Sequence, residues 1–541
     1  MDKSAAEPTE RQIPKANIRL AGTAWSVSAA IMISRILGVG REMVLARYFG
    51  AGLYTDAFYV AYRIPNLLRD LFAEGALSAA FLPTFVRRLT QEGKEQAWLL
   101  ANRVLSALLV ILGILTLVFF FGAKGFVYLL AAGYAAIPEK FELTVQMARI
   151  MSPFLLCVSL ASVGMGLLNA CGSFFVPAMA SSAFNVCCIL AGIFLSPLMP
   201  HWGLDPVVSM AVGALVGGAS QFLVMIPSAY RFGFRYRFSL DFKDTGLRHI
   251  AHLMLPAIVG LSATQINITV DLQIASAYGN GPVSWLNYAF RLVHLPVGVF
   301  GIAIATVTMT TVSYYASQNH LEELHRTVDS SLRLAACLTF PAMTGLILFR
   351  QEIVQLLYQR GSFLPTDTLK TGHAVVFYAL GLFSYAAVKI LVPTFYALND
   401  TRTPARLSLF TVVAKIALNL LFIIPLGFLG LALATASASW LNCYFLVRQL
   451  YKRRGARWAA REFEVYVRIA LASLAMGLLA WLVYQGSAWI LAGSGFFVLA
   501  SRLSLAILSG VMSLLPLLRF FRVEEGSELF RMIGTMVRKV R

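Results

Sequence analysis

LAGTAWSVSAAIMISRILGVGREMVLA, residues 20–46, is long and apolar enough to cross a bilayer, yet Arg35, Arg41 and Glu42 stand inside it. About 20 apolar residues span the hydrocarbon core, and an ionisable group within such a run is costly unless it faces a cavity or a partner. On an ideal helix Arg35 and Arg41 point about 240° apart. Gly38 and Gly40 can loosen the helix enough to bring both guanidiniums to one cavity. Comparable runs lie near 54–86, 97–121, 141–170, 175–199 and 207–230, then near 249–277, 283–316, 331–349, 370–398, 405–425 and 429–450, and last near 466–484 and 490–518. The pattern predicts an all-α polytopic membrane protein with about fourteen transmembrane helices.

Composition agrees. Of 541 residues 58% are hydrophobic and 13% charged, where a soluble chain carries about a quarter charged residues. No soluble fold hides that much apolar surface, which excludes an ordinary cytosolic enzyme, a disulfide-rich secreted domain and a disordered chain. The net charge of +19 would in a soluble protein suggest nucleic acid. Here the excess sits in short polar stretches, among them Arg231 to Arg248 and Lys452 to Arg468, which is the signature of cytoplasmic loops, so no nucleic-acid partner is expected. Connections near 87–96, 231–248, 317–330, 399–406 and 451–468, with the tail from Arg519, hold most of the basic residues. Those near 200–206, 278–282, 426–428 and 485–489 hold none. The alternation puts both termini in the cytoplasm. Residues 1–19 lack the apolar core and cleavage site of a signal peptide, so none is expected. Arg350 to Lys370 is an outside segment of mixed charge whose Ile353, Val354, Leu356 and Leu357 suggest a short interfacial helix. The six cysteines lie mostly in apolar runs without CxxC spacing and read as packing residues.

Gly50-Ala51-Gly52 and the Tyr62-Arg63-Ile64-Pro65 beyond it are matched, at closely similar offsets, by Gly279-Asn280-Gly281 and by Tyr288-Ala289-Phe290-Arg291. Six spans separate the copies, so the halves would be parallel repeats with a central site, a transporter architecture. The predicted organisation is an N-terminal lobe, 1–240, a C-terminal lobe, 241–460, and a two-helix addition with a cytoplasmic tail, 461–541. Asp56, Arg63, Arg69, Asp70 and Glu74 follow in or beside the second span, and Arg291 lies in the eighth. Several arginines converging on a cavity suit a multiply charged anion, because guanidinium binds phosphate oxygens bidentately. The competing reading pairs Arg41 with Glu42 and Asp56, pairs Arg63 with Asp70 or Glu74, and lets the rest snorkel.

Ser34-Arg35-Ile36-Leu37-Gly38 with Arg41-Glu42, Thr55-Asp56-Ala57-Phe58, Pro65-Asn66-Leu67-Leu68-Arg69, Phe72-Ala73-Glu74-Gly75-Ala76, Val283-Ser284-Trp285, Arg360-Gly361-Ser362-Phe363 and Phe395-Tyr396-Ala397 followed by Asp400-Thr401-Arg402-Thr403-Pro404 together resemble the MurJ (MviN) lipid II flippases over nearly the whole chain. The resemblance implies a fold of the multidrug/oligosaccharidyl-lipid/polysaccharide exporter superfamily in the bacterial inner membrane. It implies as substrate lipid II, the undecaprenyl-pyrophosphate-linked disaccharide-pentapeptide, carried to the outer leaflet for peptidoglycan synthesis, with membrane lipids and cell-wall synthesis proteins as further contacts. It assigns the pyrophosphate to Arg35, Arg41, Arg69 and Arg291, and supporting or gating roles to Asp56, Arg63 and Glu74. Phe290 and His294 depart from relatives that carry acids there, so charge balance around Arg291 differs. The last two spans are similar to helices that form a lipid-facing groove, a track for the polyprenyl tail.

The family also suggests a Na⁺ site from an acid of the seventh span and polar residues of the eleventh and twelfth, here Asp271, Lys415, Asn419 and Thr435. Lys415 would fill the place of the cation and pair with Asp271, since a buried unpaired acid is expensive. The alternatives are a related exporter of drugs or polysaccharide precursors and, from another class, a polytopic polyprenyl-phosphate transferase. Transferase chemistry calls for clustered carboxylates, and the sequence has no DxxD, HxxxH or HExxH spacing, no ligand set among its seven histidines and no Walker-type loop. The reading is therefore a transporter, not an enzyme, with no cofactor and no metal.

Overall fold

The computed structural model describes every residue except 1–13, 71–76, 454–459, 492, 494, 524 and 526–541. Both chain termini and Glu74 thus lie outside the described residues. Among the described residues there are helices and no strand. The α-helices are α1 (Pro14–Phe49), α2 (Leu53–Arg69), α3 (Ser78–Gln91), α4 (Lys94–Leu130), α5 (Pro138–Met151), α6 (Phe154–Ala170), α7 (Phe175–Leu190), α8 (Val208–Arg231), α9 (Thr245–Ser276), α10 (Pro282–Pro296), α11 (Ile302–Ser317), α12 (Leu321–Leu348), α13 (Arg350–Tyr358), α14 (Pro365–Ala379), α15 (Leu382–Ala397), α16 (Arg402–Leu426), α17 (Leu429–Arg453), α18 (Ala460–Ile490) and α19 (Phe496–Phe520). Ten helices or continuous pairs among the described residues are long and apolar enough to cross a membrane, and α14 with α15, bent by 43°, makes an eleventh if taken as one span. Side chains such as Ile424, 84% exposed, and Phe497, 81% exposed, fit a surface that meets lipid rather than water.

The chain packs as two compact units, each discontinuous in sequence. One holds residues up to Leu45, Ala61–Val127 and Glu142–Leu261; the other holds Ala46–Val60, Tyr128–Phe141 and the chain from Ser262 onward. The first unit has a core of Phe81, Phe85, Leu100, Val104, Val163 and Leu167. Helix α8 closes on α6 and α7 through glycines: a Cβ on Gly217 would sit 2.7 Å from the Phe184 ring, and one on Gly218 2.6 Å from the Phe154 ring. Small residues let helices approach where no hydrophobic effect drives them together. The basic connection after α8 is strapped along α4. Arg237 N–H donates to Asn102 Oδ1 at 3.1 Å and Ser239 N–H to Ser106 Oγ at 3.0 Å. Asp244 anchors its far end, accepting from Leu247 N–H at 2.8 Å, from Arg88 at 3.1 Å and from Arg103. Burial works against the Asp244 carboxylate, but these donors prevail and hold it below the ordinary range.

The core of the second unit joins Leu332, Ile390, Leu446, Ile469 and Leu518, so that α18 and α19 pack onto α12, α15 and α17. The segment expected to be an interfacial helix is helical, as α13. Its apolar face is covered by protein: Ile353 and Leu356 rest on a cluster of Phe349, Ala480, Tyr484, Leu503 and Ala506. The cause is the presence of α18 and α19 beside it, which a periodicity reading of one segment does not contain. All six cysteines are free.

Candidate functional site

In the first unit α1 runs unbroken through Gly38 and Gly40. The glycines face α7 instead of interrupting the helix: Cβ atoms there would lie 3.8 Å from Asn185 Nδ2 and 3.6 Å from Ile189 Cδ1. Asn185 also donates to Ser34 O at 3.1 Å, so α7 tracks the arginine-bearing stretch. Arg41 is mostly buried, donates to Glu42 Oε1 at 2.7 Å, and lies 5.3 Å from the Phe184 ring centroid. Arg69 pairs with Asp70 at 3.0 Å, and Arg63 approaches the same carboxylate at 3.7 Å. The pairings weighed from sequence for Arg41 with Glu42 and for Arg63 with Asp70 are therefore present. Arg35 differs from its neighbours: half-buried on α1, it has no ion-pair partner among the described residues.

In the second unit Asp56, in the first turn of α2, is completely buried and forms its ion pair with Lys140. Its Oδ1 accepts from Ser284 N–H at 2.8 Å and Ser284 Oγ–H at 2.5 Å; its Oδ2 accepts from Gly281 N–H at 2.7 Å and Lys140 Nζ at 2.8 Å. The carboxylate thus caps α10, answering its unpaired N–H groups and its positive dipole end. Lys140 is equally buried, donates to Gly279 O at 3.0 Å and Asn280 Oδ1 at 3.1 Å, and stands 4.0 Å from the Tyr134 ring centroid. The Arg360–Phe363 turn docks on the same region, with Ser362 N–H donating to Arg47 O at 2.9 Å and Ser362 Oγ to Tyr48 O at 3.1 Å. Gly361 is obligatory there: its φ is +59°, and a Cβ would lie 2.2 Å from Arg47 O. Gly133 and Ala132 join similarly, Gly133 N–H donating to Ser276 Oγ at 3.2 Å and Ala132 N–H to Gln273 Oε1 at 3.0 Å. Sequence reasoning missed Lys140. The available signal was its position in a connection that the charge alternation places outside, where cations are scarce.

Arg291 is half-buried on α10. Beside it Phe290 and His294 stack with centroids 3.7 Å apart, and Phe290 meets the edge of Tyr378 at 5.6 Å. Asp271 on α9 receives Lys415 Nζ at 2.5 Å and Asn419 Nδ2 at 2.8 Å, both from α16. Thr435 Oγ1 bonds instead to Leu431 O of its own helix at 2.8 Å. The structure thus brings together three of the four residues singled out for coupling.

The family model described as "Lipid II flippase MurJ" matches residues 45–501. A curated relative from Vibrio cholerae serotype O1, "Probable lipid II flippase MurJ", is 34% identical over 480 residues, covering 87% of this chain and 91% of its own. The "Lipid II flippase MurJ" of Burkholderia cenocepacia is 33% identical over 461 residues, covering 84% and 89%. Among solved structures, "Lipid II flippase MurJ, inward closed conformation" superposes with a TM-score of 0.76 at 26% identity, covering 91% of this chain and 98% of that one. An inward-facing multidrug resistance MATE transporter has a TM-score of 0.62 at 14% identity, covering 81% and 100%, a likeness of fold alone.

Proposed function

Since the chain belongs to the MurJ lipid II flippase family, we propose that it is a transporter that carries lipid II from the inner to the outer leaflet of the bacterial cytoplasmic membrane by alternating access. Arg35, Arg41, Arg69 and Arg291 hold the pyrophosphate, and Asp56, Arg63 and Glu74 support or gate. The observation that carries this reading is Arg35, a half-buried guanidinium on α1 with no ion-pair partner among the described residues. A partly buried cation of this kind is stabilised by an anion that binds it, and pyrophosphate supplies two bidentate faces. Asp56, as the cap of α10, fits a gating part: a capped and buried carboxylate can serve one state and be hydrated in the other, which is the differential interaction alternating access requires. Helices α1, α2 with α3, and α9 supply the remaining spans of a fourteen-span chain with both termini in the cytoplasm. The lobes are 1–240 and 241–460, with 461–541 as an addition whose helices guide the polyprenyl tail.

The test is translocation of labelled lipid II by purified protein in vesicles. Arg35→Glu and Arg291→Glu are expected to abolish it while the protein stays folded, and Arg35→Ala to reduce it less. Normal translocation by both reversal variants would reject the arginine assignment, and absence of translocation by the unmodified protein would reject the flippase reading.

A further inference from the structure

A cleft of about 700 Å³ opens beside α17 and α18, backed by α12 and α15, within the roughly 300–1,000 Å³ range of small-ligand sites. Its depth is apolar, with Leu332, Phe340, Phe383 and Val447 in the wall, and α19 contributes none of its lining. One end is cationic. Arg448 and Lys452, one turn apart on α17, line it, are exposed, and have no carboxylate partner among the described residues. The nearby Asp329 is engaged by Tyr451 Oη–H at 2.5 Å, and Glu525 by Arg333 at 3.0 Å. The cationic end adjoins the basic stretch Lys452 to Arg468, whose charge assigns that side to the cytoplasm.

We propose that this cleft binds one anionic phospholipid of the cytoplasmic leaflet, an acyl chain lying along the apolar wall and the phosphate resting on Arg448 and Lys452. Charge complementarity commits the site to this occupant. Basic pockets between spanning helices on the cytoplasmic side recruit anionic headgroups, and an apolar wall ending in two cations matches a phospholipid's own sequence of tail and phosphate. None of the arginines assigned to pyrophosphate lines the cleft, so the site stands or falls independently of lipid II transport.

The experiment measures phosphatidylglycerol and phosphatidylcholine binding to the purified full chain by native mass spectrometry, with thermal unfolding in nanodiscs of each lipid as a second readout. Phosphatidylglycerol should bind preferentially and raise the unfolding temperature. Arg448→Gln with Lys452→Gln should weaken it roughly thirtyfold, the effect of removing two cations near the membrane surface. Ala470→Phe, which narrows the cleft while leaving both cations, should also abolish the preference. Arg468→Gln, a cation paired with Glu464 and outside the lining, should not. Equal binding of the two lipids, an equal loss with Arg468→Gln, or displacement of phosphatidylglycerol from this cleft by undecaprenyl pyrophosphate would each overturn the proposal, the last in favour of the substrate's own tail.

Discussion

Removing the Lys140 ammonium strands the Asp56 carboxylate with only three of its four donors, in a place where neither side chain has any exposed surface. Breaking one side of a buried ion pair costs about 3–5 kcal/mol, whereas replacing both sides is far milder. Lys140→Met should therefore lower stability by that amount, and Lys140→Met combined with Asp56→Asn should recover part of it; a double-mutant cycle of unfolding in detergent checks the coupling. Lys415 is the other residue on which a specific outcome rests. If its ammonium occupies a cation's place beside Asp271, transport should persist when choline replaces Na⁺, and Lys415→Ala should impair folding or transport. Strict Na⁺ dependence of the unmodified protein would remove Lys415 from this role. Asp271, Lys415 and Asn419 were legible because each is a polar residue inside an apolar run, two of them a turn apart. Lys140 was not, because a cation at the edge of a run looks like any solvated helix start until Asp56, 84 residues away in sequence, is folded against it.

The Arg360–Phe363 turn is an element whose shape admits one residue type at one position. Gly361→Ala meets both a left-handed backbone and a carbonyl at 2.2 Å, so it should destabilise by at least about 1–3 kcal/mol, read as a fall in unfolding temperature. A second element, the strap from Arg235 to Asp244, hangs on a carboxylate held below the ordinary range. A depressed carboxylate contributes stability above its unfolded pKa and loses it as pH falls through the folded value. The strap should thus be firm at neutral pH and loosen only in acid below about 4. Asp244→Asn should loosen it at neutral pH, seen as faster hydrogen exchange at Arg237 and Ser239, whose N–H groups bond to Asn102 and Ser106. Charge identified this segment as a basic connection, but part of its fastening to α4 comes from neutral Asn102 and Ser106, which carry no periodic signal. The same limit explains α1: two glycines near arginines suggested a loosened helix, and the space they leave is used by α7.

For the molecule as a whole, hydropathy alone established the all-helical membrane class, because the length of an apolar run answers directly to bilayer thickness. Motif order supplied the family, since spaced short matches constrain one another across the chain. What sequence could not show is that residues 46–60 and 128–141 pack with the chain beyond 262, because that grouping rests on caps, glycine contacts and one buried ion pair. It also has a consequence for biosynthesis. Asp56 precedes Ser284, its capping target, by 228 residues, and at roughly 5–20 residues per second it waits about ten to forty-five seconds after synthesis for that partner. During this interval the ribosome is still adding spans, and the early helices sit in the membrane with a carboxylate that lacks three of its four donors. A chain arrested before residue 281 never completes the set, so such truncated products should be short-lived in cells, cleared by membrane proteolysis faster than the full-length protein.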